Sequence, residues 1–210
     1  MRLIVSGLLL LGLIGGILFY HAQPVKADTH SVTFTANVLT ALILDITPGD
    51  SFDFGDLTFD TPKAAPTTGT VVSVTTNAAN GYTLGVSDGE DNPDSGLENV
   101  ADPATHVPDM TNGTVGTPVA WGTNSGLGIT MFDADTTPEG KWCAGTCTSY
   151  NDADNLYAAI PKTAATAHTV TGFLGAADTS SWAFMVETGA GQKSGAYSGT
   201  MTFTVTAVLS

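Results

Sequence analysis

The chain has 210 residues, of which 20 are acidic and 6 are Lys or Arg, so its formal net charge at pH 7 is −14. A charge of that sign repels nucleic-acid phosphates and anionic membrane surfaces, which argues against both as partners. Hydrophobic residues make up 42% of the chain, enough for one domain with a substantial core.

Residues 1–27 have the organisation of a secretory signal peptide. Arg2 supplies a positive charge, an apolar run follows over residues 3–20, and small residues precede Asp28. The pattern predicts cleavage between Ala27 and Asp28, and therefore a secreted, extracellular or cell-surface protein. The alternative is an uncleaved anchor, because the run approaches the length of a membrane span. In that case this segment is the only part that contacts a membrane.

The predicted mature chain, residues 28–210, begins with a period-two pattern over residues 30–40. Alternation of this kind predicts a strand with one apolar face. The apolar row consists of Val32, Phe34, Ala36 and Val38. A strand close to the mature N-terminus can pair within its own domain or add to a neighbouring copy. We therefore name this row the assembly strand and leave both interpretations open.

Four further segments precede the acidic part of the chain. Residues 52–55 predict a short strand with its aromatic side chains on one face, and residues 61–69, which contain two prolines, predict a loop. Residues 71–76 and 82–87 are both strand-like and are separated by Asn-Ala-Ala-Asn-Gly. Because Asn and Gly tolerate left-handed backbone, this pattern predicts a hairpin.

Residues 88–117 form an acidic stretch punctuated by Gly and Pro, which predicts a long loop insertion. Calcium is bound by clustered carboxylates together with main-chain carbonyls, so this loop offers a weak calcium site. Its candidate ligands are Asp88, Glu90, Asp91 and Asp94. The spacing does not match an EF-hand, and a solvated acidic loop is the simpler interpretation. No other cofactor is predicted.

The C-terminal half continues with short strands. Residues 128–132, 155–160, 168–174 and 181–187 are predicted as strands. Residues 200–207 have the clearest pattern in the chain, with Met201, Phe203, Val205 and Ala207 alternating with threonines. No segment of the mature chain has helical periodicity with caps. The sequence therefore predicts an all-β, antiparallel sandwich with long acidic loop insertions, in a single domain.

Four segments carry a resemblance to known proteins: Val-Thr-Phe-Thr-Ala-Asn-Val at 32–38, Phe-Asp-Phe-Gly at 52–55, the strand pair within 72–84, and Gly-Ala-Tyr-Ser-Gly-Thr-Met-Thr-Phe-Thr-Val-Thr-Ala at 195–207. In these segments the chain resembles bacterial secreted surface proteins of the spore coat protein U and pilin-like group. It is more weakly similar to WxL cell-surface proteins. The resemblance implies an Ig-like fold and a role as a surface or filament subunit.

Cys143 and Cys147 are the only two cysteines. In an oxidising exported compartment, two such cysteines are most simply disulfide partners. Zinc binding is disfavoured because no His or further Cys stands at ligand spacing.

No catalytic residues are predicted. Residues 85–89 match the Gly-x-Ser-x-Gly pattern of hydrolases, but an acidic loop follows where that chemistry needs a helix. The expected function is a non-enzymatic structural or adhesive surface protein, with self-assembly or other surface proteins as partners. The alternative is a glycan-binding or calcium-binding module. Its ligand residues are unknown, although Trp121, Trp142 and Tyr150 are aromatic candidates.

Overall fold

The computed structural model describes residues 33, 35–47, 51–88, 95–135 and 140–209. The chain divides into two units, Met1–Val38 and Leu39–Ser210, and the strands that the structure describes lie in the second. The predicted signal peptide lies outside the described residues. In the part that is described, no helix is long and apolar enough to cross a membrane.

The described residues form strands and no helices, which confirms the predicted all-β class. The strands are β1 (Leu42–Thr47), β2 (Lys63–Thr76), β3 (Tyr82–Ser87), β4 (Ser95–Asn99), β5 (Asp102–Pro108), β6 (Val119–Ala120), β7 (Gly126–Phe132), β8 (Leu156–Tyr157), β9 (Ala165–Val170), β10 (Asp178–Glu187), β11 (Tyr197–Ser198) and β12 (Thr202–Ala207).

Two antiparallel sheets enclose the core of a sandwich. The first sheet has the order β1-β2-β10-β7 and the second has the order β12-β3-β9. Two smaller sheets, β11-β4-β5 and β6-β8, complete the described strands. The core residues come from both large sheets, and they include Val74, Leu84, Ile129 and Trp182. Burial of these side chains is the main favourable contribution to folding.

Alternating sequence patterns correctly locate several strands. In β12, Phe203, Val205 and Ala207 are partly buried while the intervening threonines are exposed. In β10, Trp182 and Val186 are fully buried. These strands confirm that period-two alternation marks a face that packs on the core.

The predicted loop over residues 61–69 is wrong, because β2 begins at Lys63 and includes Pro66. The register between β2 and β10 shifts here: Trp182 pairs with Thr70, but Phe184 pairs with Ala65. Extra residues on the β2 side form a bulge. Pro has no N–H and cannot donate a ladder hydrogen bond. A bulge leaves a residue outside the ladder, so a strand can hold a proline there.

The predicted hairpin of residues 71–76 with 82–87 is also wrong, although both strands exist. β2 pairs with β1 and β10, whereas β3 pairs with β12 and β9, so the two strands belong to opposite sheets. The Asn77 side chain bonds to the main chain of Ala41 and Leu39 beside the first sheet. The Asn80 amide donates to the Leu209 carbonyl beside the second. Residues 77–81 are therefore a link between sheets.

Two more predicted strands differ from the structure. Residues 52–55 form an irregular segment rather than a strand. Within 30–40, Thr33 and residues 35–40 lie in no strand, and the remaining residues lie outside the described part. Aromatic and apolar side chains at alternate positions indicate that a segment can form a strand, but a partner edge decides whether it does.

The segment 88–117 is not simply a loop. It contains β4 and β5, which pair with each other and extend a small sheet to β11. The sequence did not predict this hairpin, because Gly and Pro are typical of loops. Val107 and Val115 from this segment also join the main core, so the insertion is packed against the sandwich.

Candidate functional site

The sandwich is open along one side. β1 and β12 are edge strands of the first and second sheets, and they approach each other on that side. In the described strands, β1 pairs only with β2 and β12 only with β3. Each strand therefore presents one unpaired row of main-chain N–H and C=O groups, which is the feature that allows a further strand to add to a sheet.

The core-facing rows of these two strands are only half-buried. Leu44 and Ile46 alternate with exposed residues on β1, as Phe203 and Val205 do on β12. Leu44, Phe203 and Val205 pack against the core, and Ile46 lines the adjacent groove. All four side chains remain partly exposed to solvent. An incoming strand would cover apolar area that now faces water.

A groove of about 880 Å³ opens at one end of these edges, where Ile46 of β1 and Phe203 of β12 line it. One wall is the segment 51–59, which we call the strap, and the other is the segment 188–201. The base of the groove is apolar and includes Leu97, Leu127 and Ile160. The groove thus reaches from the open edge into the main core.

Aromatic contacts hold the strap in place. The ring of Phe52 stacks on that of Phe184, with centroids 4.9 Å apart, and meets the ring of Phe54 edge-on at 5.1 Å. Gly55 has a left-handed φ of 66°, which glycine adopts without strain. The Lys63 ammonium donates to the Asp56 carbonyl at 3.0 Å. Side chains rather than a strand ladder therefore form this wall.

The opposite wall is fixed by a polar cluster. The Gln192 amide donates to the Tyr197 hydroxyl at 2.7 Å, and that hydroxyl donates to the Lys193 carbonyl. The Lys193 ammonium pairs with Asp102 at 3.0 Å. Hydrogen bonds from Lys193 and then Thr105 lower the pKa of the Asp102 carboxyl. Asp102 therefore stays ionised and ties this wall to β5.

The predicted assembly strand is only partly within the described residues. Ala36 and Val38 are exposed and lie in no strand. Val32 and Phe34 lie outside the described residues. The structure therefore leaves the assembly role of this segment a prediction.

The candidate calcium ligands are likewise only partly described. Asp88 is buried at the end of β3, and its amide donates to the Pro161 carbonyl. Glu90, Asp91 and Asp94 lie outside the described residues. Among the residues that are described, no group of three or more His, Cys, Asp or Glu is placed to hold a metal ion.

The predicted disulfide is confirmed. Cys143 and Cys147 are bonded, with their Cα atoms 5.8 Å apart. Asp154 accepts a hydrogen bond from the amide of Thr146, and Asp152 accepts from the amides of Thr148 and Ser149. These carboxylates shape the disulfide loop by capping its main chain.

The aromatic candidates for ligand stacking do not form an exposed platform. Trp142 is fully buried, donates to the Ala167 carbonyl at 2.9 Å and packs edge-on against Trp182. Trp121 is 8% exposed and donates to the Glu187 carboxylate at 3.1 Å. Both tryptophans serve packing, which is the commoner role of this side chain.

A buried polar network in the core was not foreseen from the sequence. The Tyr82 hydroxyl donates to Asp178 at 2.5 Å, and a ring nitrogen of His168 lies 3.3 Å from the same carboxylate oxygen. Asp178 belongs to the first sheet, while Tyr82 and His168 belong to the second. Because Tyr82 and Asp178 are 96 residues apart in sequence, no local pattern could have indicated that they meet.

The hydrolase-like match does not form a nucleophile site. Ser87 is the last residue of β3 and pairs with Thr202 of β12, so it lies in a sheet ladder. His106 lies on β5 and His168 lies in the core, so the described histidines are not gathered in the groove.

No protein-family model, curated protein or solved structure matches this chain. The groove and its two open strand edges are therefore the main evidence on function.

Proposed function

We propose that this chain is an exported, non-enzymatic structural or adhesive subunit of the cell surface, whose copies assemble by strand pairing. The observation that carries the proposal is the groove between β1 and β12. It combines an apolar interior with unpaired main-chain edges on both sides. Such a site suits an extended peptide, which satisfies the edges with its main chain and fills the groove with alternate side chains.

The assembly strand is the occupant that the sequence offers. Its row from Val32 to Val38 would span about 20 Å in extended form, the same number of residues as the stretch from Met201 to Ala207 that contains β12. Ala36 and Val38 are exposed, so this part of the row is accessible to a neighbour. The segment of one copy would enter the groove of another.

Export and a surface location are supported by independent features. The signal-peptide pattern directs the chain out of the cytoplasm, and the Cys143–Cys147 disulfide suits an oxidising compartment. The strongly acidic composition favours solubility outside the cell. The resemblance to the spore coat protein U and pilin-like group supports the same assignment and would make the sandwich Ig-like.

The direct test uses a chain that lacks residues 28–40 and a synthetic peptide of those residues. We expect the shortened chain to stay folded, to remain monomeric and to bind the peptide, with a higher unfolding midpoint in its presence, because a ligand specific to the folded state stabilises it. The matched control is the same peptide with Phe34→Asp, which should bind at least tenfold more weakly.

Two results would refute the proposal. One is that the intact exported chain stays monomeric at high concentration. The other is that the peptide leaves the shortened chain unchanged. If calcium or an oligosaccharide, and not the peptide, raises the unfolding midpoint, the alternative of a ligand-binding module is favoured.

A further inference from the structure

The chain contains two Asn-Gly pairs, Asn80-Gly81 and Asn112-Gly113. Such a pair is prone to lose its side-chain amide, because glycine has no side chain to hinder the approach of its main-chain nitrogen to the preceding Asn. The reaction requires that this nitrogen move onto Cγ of the Asn. A fold that fixes both groups therefore suppresses it, and the surroundings of each pair decide which one reacts.

The pair Asn80-Gly81 is held on both sides. The Gly81 amide donates to the Ala78 carbonyl, and the Gly81 carbonyl accepts from the Val208 amide. The Asn80 side chain donates to the Leu209 carbonyl at 3.2 Å. Gly81 is also buried. The nitrogen that would attack is thus already bonded inside the link between the sheets.

The pair Asn112-Gly113 lies on the surface turn between β5 and β6. Asn112 is exposed, and Gly113 has a left-handed φ of 86°. Among the described residues, none accepts a hydrogen bond from the Gly113 amide. The Asn112 side chain is held by one contact, in which its Nδ2 donates to Oδ1 of Asn124 at 2.7 Å. The attacking nitrogen at this pair is therefore not engaged, and the reacting side chain lies at the surface.

We propose that Asn112 is a site of spontaneous modification in the folded protein, and that the fold protects Asn80 from the same reaction. The main-chain nitrogen of Gly113 attacks Cγ of Asn112 and a C–N bond forms. Nδ2 leaves as ammonia and takes the proton that the Gly113 nitrogen loses, so the product is a cyclic imide. Water then opens the ring at either carbonyl and gives aspartate or isoaspartate. Water is the co-reactant, and no enzyme is needed.

The modification removes a hydrogen bond that the neighbouring turn cannot replace. Asn124 is 8% exposed, and its Nδ2 donates to the carbonyls of Ala120 and Trp121 at 3.2 and 2.7 Å. These two bonds fix the side-chain amide, so its Oδ1 stays directed at residue 112. An ionised aspartate at that position has no donor to offer, and two acceptor oxygens then face each other.

The same turn covers an edge of the first sheet. The Gly113 carbonyl accepts from the Ala159 amide at 3.3 Å, and the adjacent Ala158 forms a bridge with Ile129 of β7. β7 is the last strand in the order β1-β2-β10-β7, on the opposite edge from β1. Isoaspartate adds an atom to the main chain beside Gly113 and so displaces that carbonyl. The modification therefore loosens the cover of the β7 edge.

The test follows the exported chain over time in mildly alkaline buffer, folded and in denaturant. Each event exchanges an NH2 group for an OH group, and peptide mass spectrometry locates it. Asn112→Gln removes the reactive pair and Asn80→Gln removes the protected one. Both side chains are exposed, so both variants should fold, which a thermal melt verifies.

We expect the folded wild type to react at least about tenfold faster at Asn112 than at Asn80, because reaction at Asn80 requires the link to open first. Folded Asn80→Gln should react like the wild type, and folded Asn112→Gln should stay unmodified. In denaturant the two pairs should react at similar rates, since they are the same dipeptide and the fold no longer distinguishes them.

Asn112→Asp reproduces the aspartate product and tests its structural effect. It should lower the unfolding midpoint by about 2–4 °C, because it removes the bond to Asn124. Asn151→Asp is the matched control. Asn151 is also exposed, but its Oδ1 accepts from the Ser149 hydroxyl at 3.0 Å, and an aspartate keeps that acceptor. The control should leave the midpoint nearly unchanged.

Three results would overturn the inference. The first is a folded chain in which Asn112 stays intact although it reacts in denaturant. The second is equal reaction at Asn80 and Asn112 in the folded chain. The third is an equal midpoint for the two aspartate variants, which would show that the turn is not loosened. None of these readouts depends on association between copies, so the proposed function is tested separately.

Discussion

At the scale of single residues, the carboxylate of Asp178 joins the two sheets through the core. It accepts the Tyr82 hydroxyl and lies within 3.3 Å of a ring nitrogen of His168, and all three residues are buried. Burial, followed by the hydrogen bond to Asp178, raises the pKa of Tyr82 well above its ordinary value. Tyr82 therefore remains a neutral donor to one oxygen of this buried side chain.

Replacing Tyr82 by Phe should destabilise the fold by about 1–3 kcal/mol, because it removes a donor from a buried carboxylate. The free energy of unfolding in denaturant measures the loss. The partly exposed Tyr150, which follows the Cys143–Cys147 disulfide, offers a control. Tyr150→Phe should change the same quantity by less than about 0.5 kcal/mol. Equal effects at the two positions would mean that the network contributes nothing.

Tyr157 predicts a loss of stability at alkaline pH. Burial raises its pKa from 10.0 to about 12. Between those values an unfolded chain has lost this proton while the folded chain keeps it, so folding weakens as pH rises, by about 1.4 kcal/mol per pH unit. Below pH 10 this contribution is constant.

The unfolding free energy of wild type and Tyr157→Phe, measured from pH 9 to 12, isolates this effect. The variant should fall less steeply by about 1.4 kcal/mol per pH unit above pH 10, because other alkaline titrations are common to both proteins. Parallel curves over the whole range would contradict the shifted pKa of Tyr157.

At the scale of elements, the link 77–81 determines which sheet each strand joins. Gly81 has a left-handed φ of 80°, and a Cβ atom there would overlap the carbonyl oxygen of Val170. The side chains of Asn77 and Asn80 hold the two halves of the link to different sheets. This short segment therefore carries the chain across the sandwich.

Gly81→Ala should lower the free energy of unfolding by at least about 2 kcal/mol, because both the backbone angle and the contact oppose a side chain. Gly175 is the matched control, since nothing lies within 4 Å of a Cβ placed there. Gly175→Ala should be neutral or slightly stabilising. Similar unfolding midpoints for the two variants would show that the link tolerates a side chain.

The link also explains what the sequence could predict. Alternation located β3, β10 and β12, because the pleat imposes a period of two on a strand with one face on the core. Pairing is not local, and a five-residue Asn- and Gly-containing stretch suits a hairpin as well as a crossing between sheets. The strap has the composition of a strand but no ladder partner, so its place in the groove wall was not predictable.

At the scale of the whole molecule, a net charge of −14 opposes association unless the contact surfaces avoid it. The sequence revealed this charge but not where it lies on the surface, because residues that are distant in the chain meet only in the fold. The groove could not be predicted from the sequence for the same reason, since its walls and base come from segments that are spread between residue 46 and residue 203.

Leu39 precedes the first residue of β1, whereas the groove is lined by Ile46 near the last, and these positions determine how mechanical tension would cross each subunit. In a fibre joined as proposed, one pull acts on the strand held beside β1 and β12, and the other acts on β1 at Leu42. If the incoming strand lies parallel to β1, these pulls run in opposite directions along neighbouring strands. The hydrogen bonds between them would be loaded in shear, all at once, instead of opening one after another as in a zipper. Such a fibre would resist stretching along its axis more strongly than peeling from its side.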